Sequence, residues 1–319
     1  MSEATSNMQA QQWDIVVIGA GMAGASTAWQ LAQAGQRVLV LERETQPGYH
    51  TTGRSAALFE EHYGPPQVQA LTRASRAFYE NPPPGFTDVP LLHPRGVMYV
   101  ATAAQKPLID TAYAEAVRHS PDAQRLDGDA LRALVPVLNA SIVDGFVDDG
   151  ARDIEVHALH QGFLRGLRQQ GGQVWCQAEV TGLQHDVFAS RWTVTLADGR
   201  QLQTHALVNA AGAWADGLGE LAGARAIGLV PARRSAFTFA VPEGMDAHRW
   251  QSFALERSRL GIPLLITQPP GPPLLSPWAV GASWDERLAC ELGAHAARCA
   301  AQARCNALPA PRLGRGRGS

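Results

Sequence analysis

The chain has 319 residues, enough for two domains and a sizeable core, and a formal net charge of −2. Near-balanced charge gives no pull toward nucleic acid or an anionic membrane, and no run of roughly 18 apolar residues is present to form a transmembrane segment. The basic residues are 26 Arg and one Lys (Lys106), a bias that a GC-rich coding sequence explains more simply than phosphate recognition. Residues 1–12 lack a basic stretch before an apolar one, and Cys176 is the only cysteine before Cys290; both features lead us to expect a cytoplasmic protein.

The first ordered stretch is the most informative. Asp14-Ile-Val-Val-Ile18 is an apolar run headed by one acid, as in a strand buried on both faces. It runs into Gly19-x-Gly21-x-x-Gly24, and helix formers follow from Met22 to Gln33. Gly19 permits the tight turn, Gly21 lets a pyrophosphate approach the backbone, and Gly24 lets the helix pack close to the strand. The free N–H groups and positive dipole end of that helix suit phosphate. A second strand, Arg37–Leu41, ends on Glu42, where an acid can accept from both hydroxyls of an adenosine ribose. An acid there disfavours a ribose carrying a 2′-phosphate.

Residues 43–58 form a long loop dense in Gly, Thr and Ser that ends in a small-residue run able to start a helix. Such a loop suits a planar ring lying against backbone, or a plain surface connection. An amphipathic helix is expected over 68–80, stopped by Asn81-Pro-Pro-Pro-Gly85. Leu91 to Ala101 reads as a hairpin edge punctuated by Gly96. Helices are expected over 105–119 and 128–135, the second capped near Asp127, and Asp148 to Asp153 reads as a solvated polar turn rather than a metal loop. A further helix spans Ile154 to Gln170. Strands follow at 173–177 and from Glu179, then a hairpin turns on Asp198-Gly199. Ala206–Ala210 is a short buried strand running into Ala211-Gly212-Ala213-Trp214. Two Gly/Ala-rich strand ends this far apart imply one nucleotide-binding sheet assembled from split segments. His157 and His160 share a helical face, and without a third ligand they are expected to make ordinary hydrogen bonds; no metal site is expected.

With these segments in hand, the chain resembles the flavin-dependent D-amino acid oxidase superfamily, closest to its bacterial D-arginine dehydrogenase branch. The resemblance rests on Val16 to Gly24, Leu41-Glu-Arg-Glu44, Pro47 to Ala57, Leu159 to Gly166, Leu207 to Trp214 and Arg233 to Phe237. It implies an α/β fold: a Rossmann-type FAD-binding domain (12–80 and 150–222) with a truncated α+β substrate domain (81–149 and 223–250). It implies FAD, with Gly19, Gly21 and Gly24 at the pyrophosphate, Glu42 at the ribose, Arg43 beside the adenosine and Val180 at the adenine. Thr51, Arg54, Ser55, Ala56 and Ala57 would follow the flavin end, and Gly212 would pass close to the cofactor. Arg234 matches an arginine that clamps a substrate carboxylate, and Tyr63 matches a lid tyrosine. The implied activity is oxidation of the CH–NH2 group of a D-amino acid to a 2-oxo acid and ammonia, with electrons passing to an unidentified acceptor.

The departures are as specific. Val97 stands where D-arginine dehydrogenases carry an acid for the guanidinium, and Leu58 where they carry a histidine, so a broader D-amino acid range is expected. The resemblance ends near Trp250. Residues 261–319 contain no Phe, Tyr, Met or Lys, a poor inventory for a β-rich domain, and resemble a GC-rich gene read out of frame. Residues 251–319 are therefore expected to be an atypical tail that impairs activity. The alternatives are a non-catalytic FAD-binding remnant and, less well supported by the split sheet, a nicotinamide-dependent dehydrogenase.

Overall fold

The structure, a computed structural model, describes residues 13–136, 138–231 and four later strands. In chain order the strands are β1 (Trp13–Ile18), β2 (Val38–Leu41), β3 (Leu58–Phe59), β4 (Leu92–Pro94), β5 (Val97–Thr102), β6 (Gln124–Asp127), β7 (Ile142–Asp148), β8 (Arg152–Ile154), β9 (Gln173–Trp175), β10 (Val180–Asp186), β11 (Arg191–Leu196), β12 (Gln201–Asn209), β13 (Ser235–Phe239), β14 (Ser252–Leu255), β15 (Leu264–Thr267) and β16 (Trp278–Ala282). The helices are α1 (Met22–Gln33), α2 (Pro66–Glu80), α3 (Lys106–His119), α4 (Gly128–Leu134), α5 (Val156–Gln169) and α6 (Ala215–Leu221). Two compact units divide the described residues. The first holds 13–96, 115–122 and 148–231; the second holds 97–114, 123–147 and the four later strands.

The first unit is built on a six-stranded sheet in the order β10-β11-β12-β1-β2-β9. β1 pairs in parallel with both β12 and β2, so Ile18 lies beside Asn209 on one side and Leu41 on the other. Alternation explains why these strands are apolar throughout: successive side chains point to opposite faces, and both faces are buried. Val16, Ile18, Leu39 and Leu41 pack on one face with Val194, Leu196 and Leu202. Val17, Val38 and Val40 pack on the other against Ala28 and Ala32 of α1 and Leu167 of α5. Each fully buried leucine contributes about 1.5–3 kcal/mol. An aromatic group around Trp29, with Phe86 at 5.5 Å and Phe163 at 5.4 Å between ring centroids, closes the unit beyond α1.

The expected helices form with small changes at their ends, and Asp127 caps α4 by accepting from the N–H groups of Asp129 and Ala130. Two local readings change. Leu91 to Ala101 is not a hairpin: β4 joins a three-stranded sheet, β3-β8-β4, whereas β5 joins a seven-stranded one. Gly96, at φ +75°, turns the chain between them, and Val97, Met98 and Val100 are wholly buried, unlike an edge strand. The small-residue run after Arg54 starts no helix. Ser55 Oγ accepts from the Ala57 N–H at 3.0 Å, a local bond that competes with helix, and Leu58 and Phe59 pair with β8.

The second unit carries a sheet in the order β13-β16-β15-β14-β5-β7-β6. β14 runs parallel to β5, with Ser252 beside Val97, and β14, β15 and β16 succeed one another antiparallel. β14, β15 and β16 thus add three strands to this sheet. Tyr99 stacks on Phe146 at 4.7 Å in the same unit. The Arg125 guanidinium grips both oxygens of Asp144 at 2.6 and 2.7 Å, and with it holds the Asp144 carboxyl at about 2. Among the described residues no helix is long and apolar enough to cross a membrane.

Candidate functional site

The carboxyl ends of β1, β2 and β12 meet at one edge of the first unit. The Gly19 N–H donates to Leu41 O at 2.8 Å, and the Ala210 N–H to Ile18 O at 2.9 Å. A Cβ on Gly19 would lie 2.3 Å from Ala210 O, and one on Gly24 would lie 1.8 Å from Gly19 O. These two glycines are required by close packing of chain on chain. Gly21 differs: a Cβ there would meet Thr52 Oγ1 at 3.3 Å and otherwise open space. Gly212, at φ +55°, likewise faces nothing within 4 Å.

Glu42 is buried, and its carboxylate braces the turn. Oε2 accepts from the Ala20 N–H and Oε1 from the Glu44 N–H, each at 3.0 Å. A carboxylate oxygen has two acceptor positions, so each keeps one for a further donor. Ala20 O accepts from the Gly48 N–H at 3.1 Å and from His160 Nε2 at 2.9 Å. A carbonyl only accepts, so Nε2 carries the proton, and burial lowers the His160 pKa and keeps the ring neutral. Thr52 Oγ1 accepts from the Met22 N–H at 2.9 Å and so takes one orphan donor of the α1 N-terminus. Thr52 and His160 were not assigned to the site from sequence. Their signal was faint: a hydroxyl in a Thr-Thr pair, and a histidine on the buried face of α5.

The other expected residues fall into place around this edge or apart from it. The exposed Arg43 lies over the Trp214 ring at 4.1 Å, and His50 packs on the same ring at 4.7 Å, so Trp214 joins the site two residues beyond Gly212. Val180 begins β10, two residues after Ala178, whose N–H donates to Glu42 O at 2.8 Å. Thr51, Arg54, Ser55 and Ala56 are exposed, and the Gly53 N–H donates back to Gly48 O at 2.7 Å. Ala57 has a left-handed backbone, φ +59°. Tyr63 is 44% exposed on a loop held by α2. There Arg76 grips Glu61 at 2.8 Å, and the Gln69 amide donates to His62 O and Gly64 O. Arg234 lies outside the described residues.

One expectation fails at this loop. Asp148 is not part of a solvated turn: it is 1% exposed and bonded to His62 Nε2 at 2.8 Å, to Ser120 Oγ at 2.6 Å and to the Gly150 N–H at 2.7 Å. Burial raises its pKa, but these donors outweigh it and leave the carboxyl low. Burial also pulls His62 down, and Asp148 more than restores it. Glu60 lies in the same cluster, with one donor atom from each of the three groups within 4.8 Å of the others.

A nucleotide cofactor is what this edge accommodates: bare backbone at Gly21 and Gly212, a helix N-terminus, and a carboxylate with acceptor positions to spare. Comparison with known proteins decides which. The profile of the FAD dependent oxidoreductase (DAO) family matches residues 14–277. The chain belongs to this family. FAD is its cofactor, which removes the nicotinamide alternative, and the match runs past Trp250, where the resemblance was expected to end. The chain is 26% identical to mitochondrial dimethylglycine dehydrogenase of Mus musculus over 214 residues, 66% of this chain and 24% of that protein. It is 26% identical to glycine oxidase of Bacillus licheniformis over 216 residues, 65% of this chain and 56% of that enzyme. The chain thus spans about half the length of the oxidase and a quarter of the dehydrogenase. In fold it is similar to the FAD-bound L-alpha-glycerophosphate oxidase from Mycoplasma pneumoniae, with a TM-score of 0.71, 18% identity, and coverage of 86% of this chain and 71% of that one.

Proposed function

We propose that this member of the family oxidises the CH–NH2 group of D-amino acids, giving a 2-oxo acid and ammonia. The observation that carries the substrate class is the pair of relatives named for glycine and dimethylglycine, both of which place an amine and a carboxylate on one carbon. The D-hand comes from the resemblance of Pro47 to Ala57 and Leu207 to Trp214 to D-amino acid dehydrogenases. FAD, when bound, supplies a two-electron acceptor for the hydride leaving the substrate carbon. The chain's own residues bind and orient. Gly19, Gly21 and Gly24 shape the turn for the pyrophosphate, Thr52 braces the start of α1 beside it, Glu42 offers acceptors to the ribose, Arg43 and Val180 border the adenosine, and Thr51, Arg54–Ala57 and Gly212 flank the ring. Arg234 holds the substrate carboxylate, and Tyr63 shields the reacting carbon from water. Once the hydride has left, water hydrolyses the imine.

Val97 stands where D-arginine dehydrogenases carry an acid for the guanidinium, which supports a substrate range broader than D-arginine. Residues 251–319 are read as an atypical tail, and 261–319 contain no Phe, Tyr, Met or Lys, so slow turnover by this chain is the expected result. The test is a panel of D- and L-amino acids, glycine and dimethylglycine, with an artificial electron acceptor. Turnover confined to L-2-hydroxy acids would overturn the amine assignment, and L-amino acids outrunning their D-forms would overturn the hand.

A further inference from the structure

Three non-glycine residues among those described have a left-handed backbone, and one of them, Ala57, lies in the loop assigned to the flavin. Strain of this kind persists only where the surroundings over-determine it. Here they do. The Ala57 N–H donates to Ser55 Oγ at 3.0 Å, and Ala57 O accepts from the Ile154 N–H at 2.6 Å. The preceding carbonyl, Ala56 O, accepts from Arg95 Nη1 at 3.2 Å, and the same guanidinium nitrogen forms an ion pair with Asp153 Oδ1. Asp153 sits on β8, directly beside Leu58 of β3 and His93 of β4, and Arg95 follows β4. All of these residues belong to the first unit.

The pair is expensive to keep. Arg95 and Asp153 side chains are 4% and 7% exposed, and a buried ion pair of this type is seldom more stabilising than apolar residues of equal volume. What it does that apolar residues cannot is hold a carbonyl in one orientation. We propose that Arg95 and Asp153 are positioning residues, which set the peptide planes of Ala56 and Ala57 in the orientation FAD requires. The inference rests on the cofactor role of Ser55–Ala57 and adds the two side chains that hold this backbone.

The full chain, purified and reconstituted with FAD, provides the test. Arg95→Lys keeps a charge beside Asp153, but its ammonium sits on a shorter reach than Nη1 and should not meet Asp153 Oδ1 and Ala56 O together. It should raise the FAD dissociation constant, read by flavin fluorescence, at least about tenfold and shift the visible flavin band. The double variant Arg95→Met/Asp153→Leu should fold with a Tm near that of the parent, as apolar replacements of buried pairs do. It should still bind FAD at least about tenfold more weakly, and it keeps the test open if single variants fail to fold. Parent-like dissociation constant and spectrum in a folded double variant would overturn the positioning role. Gly21→Val separates the two readings. If it retains flavin, the nucleotide site itself is misassigned and the inference falls with it; if it loses flavin while the Arg95 variants bind normally, the inference falls alone.

Discussion

Residues 19–24 and residues 51–57 are both loops built mostly of small residues on the first unit, yet different forces hold them. In the glycine turn, main chain packs on main chain: the missing Cβ atoms of Gly19 and Gly24 would strike Ala210 O and Gly19 O. In the second loop, partners distant in sequence do the holding, the Arg95 side chain on Ala56 O and the Ile154 backbone N–H on Ala57 O. The first geometry follows from covalent sterics and tolerates almost no substitution. The second follows from partners, and its residues can change one at a time with graded effects.

Substitutions in the two loops should therefore differ in size and kind. Gly24→Val drives a branched side chain into Gly19 O and should prevent the first unit from folding; soluble, flavin-loaded protein would contradict the packing described. Gly21→Val sharpens the contrast within the turn, since its Cβ meets only Thr52 Oγ1 in the free chain. That variant should fold, with a circular dichroism spectrum like that of the parent, and retain no FAD. Glu42→Ala removes acceptors for both backbone and ribose. It should weaken FAD by about 1–3 kcal/mol and lower Tm as well, because the Ala20 and Glu44 N–H groups lose their partner. A change in affinity with no change in Tm would mean that Glu42 acts on the ligand alone. Thr52→Val, close to isosteric, deletes the acceptor for the Met22 N–H and should cost about 1 kcal/mol in unfolding by denaturant.

The smallest effect expected is one of pH. His160 braces Ala20 O as a neutral donor, and burial places its pKa below the usual 6.5. The unfolded chain then binds the proton more readily than the folded one. The stabilising contribution is present above about pH 6.5 and is lost as pH falls from there through the lower folded value. Melting curves between pH 8 and pH 5 should show this loss, and His160→Gln, which retains an N–H donor that does not titrate, should flatten it. An identical slope in the variant would assign the acid sensitivity to other groups.

Asp14 to Glu42 was legible from sequence because each signal there is local. Apolar runs specify strands buried on both faces, the glycine spacing specifies the turn, and Glu42 ends the second strand. The pairing of β1 with β12 could also be anticipated, since two Gly/Ala-rich strand ends call for the same close backbone approach. The separation of β4 from β5 could not, because Gly96 reads equally well as a hairpin punctuation and as a crossing between sheets. Asp148 misled for a related reason. In sequence it stands among polar turn residues, and its burial is decided by His62, 86 positions earlier.

What the sequence determined by itself was the nucleotide-binding element, where the steric limits of glycine and the two-residue period of a strand leave few alternatives. Only the tertiary structure decided which donors and acceptors meet: Thr52 with the start of α1, His160 with Ala20 O, Arg95 with Asp153 and Ala56 O. A buried polar side chain must find a partner, but its type does not say which one. That choice is made when β3, β4 and β8 come side by side and the guanidinium of Arg95 is left within reach of two oxygens.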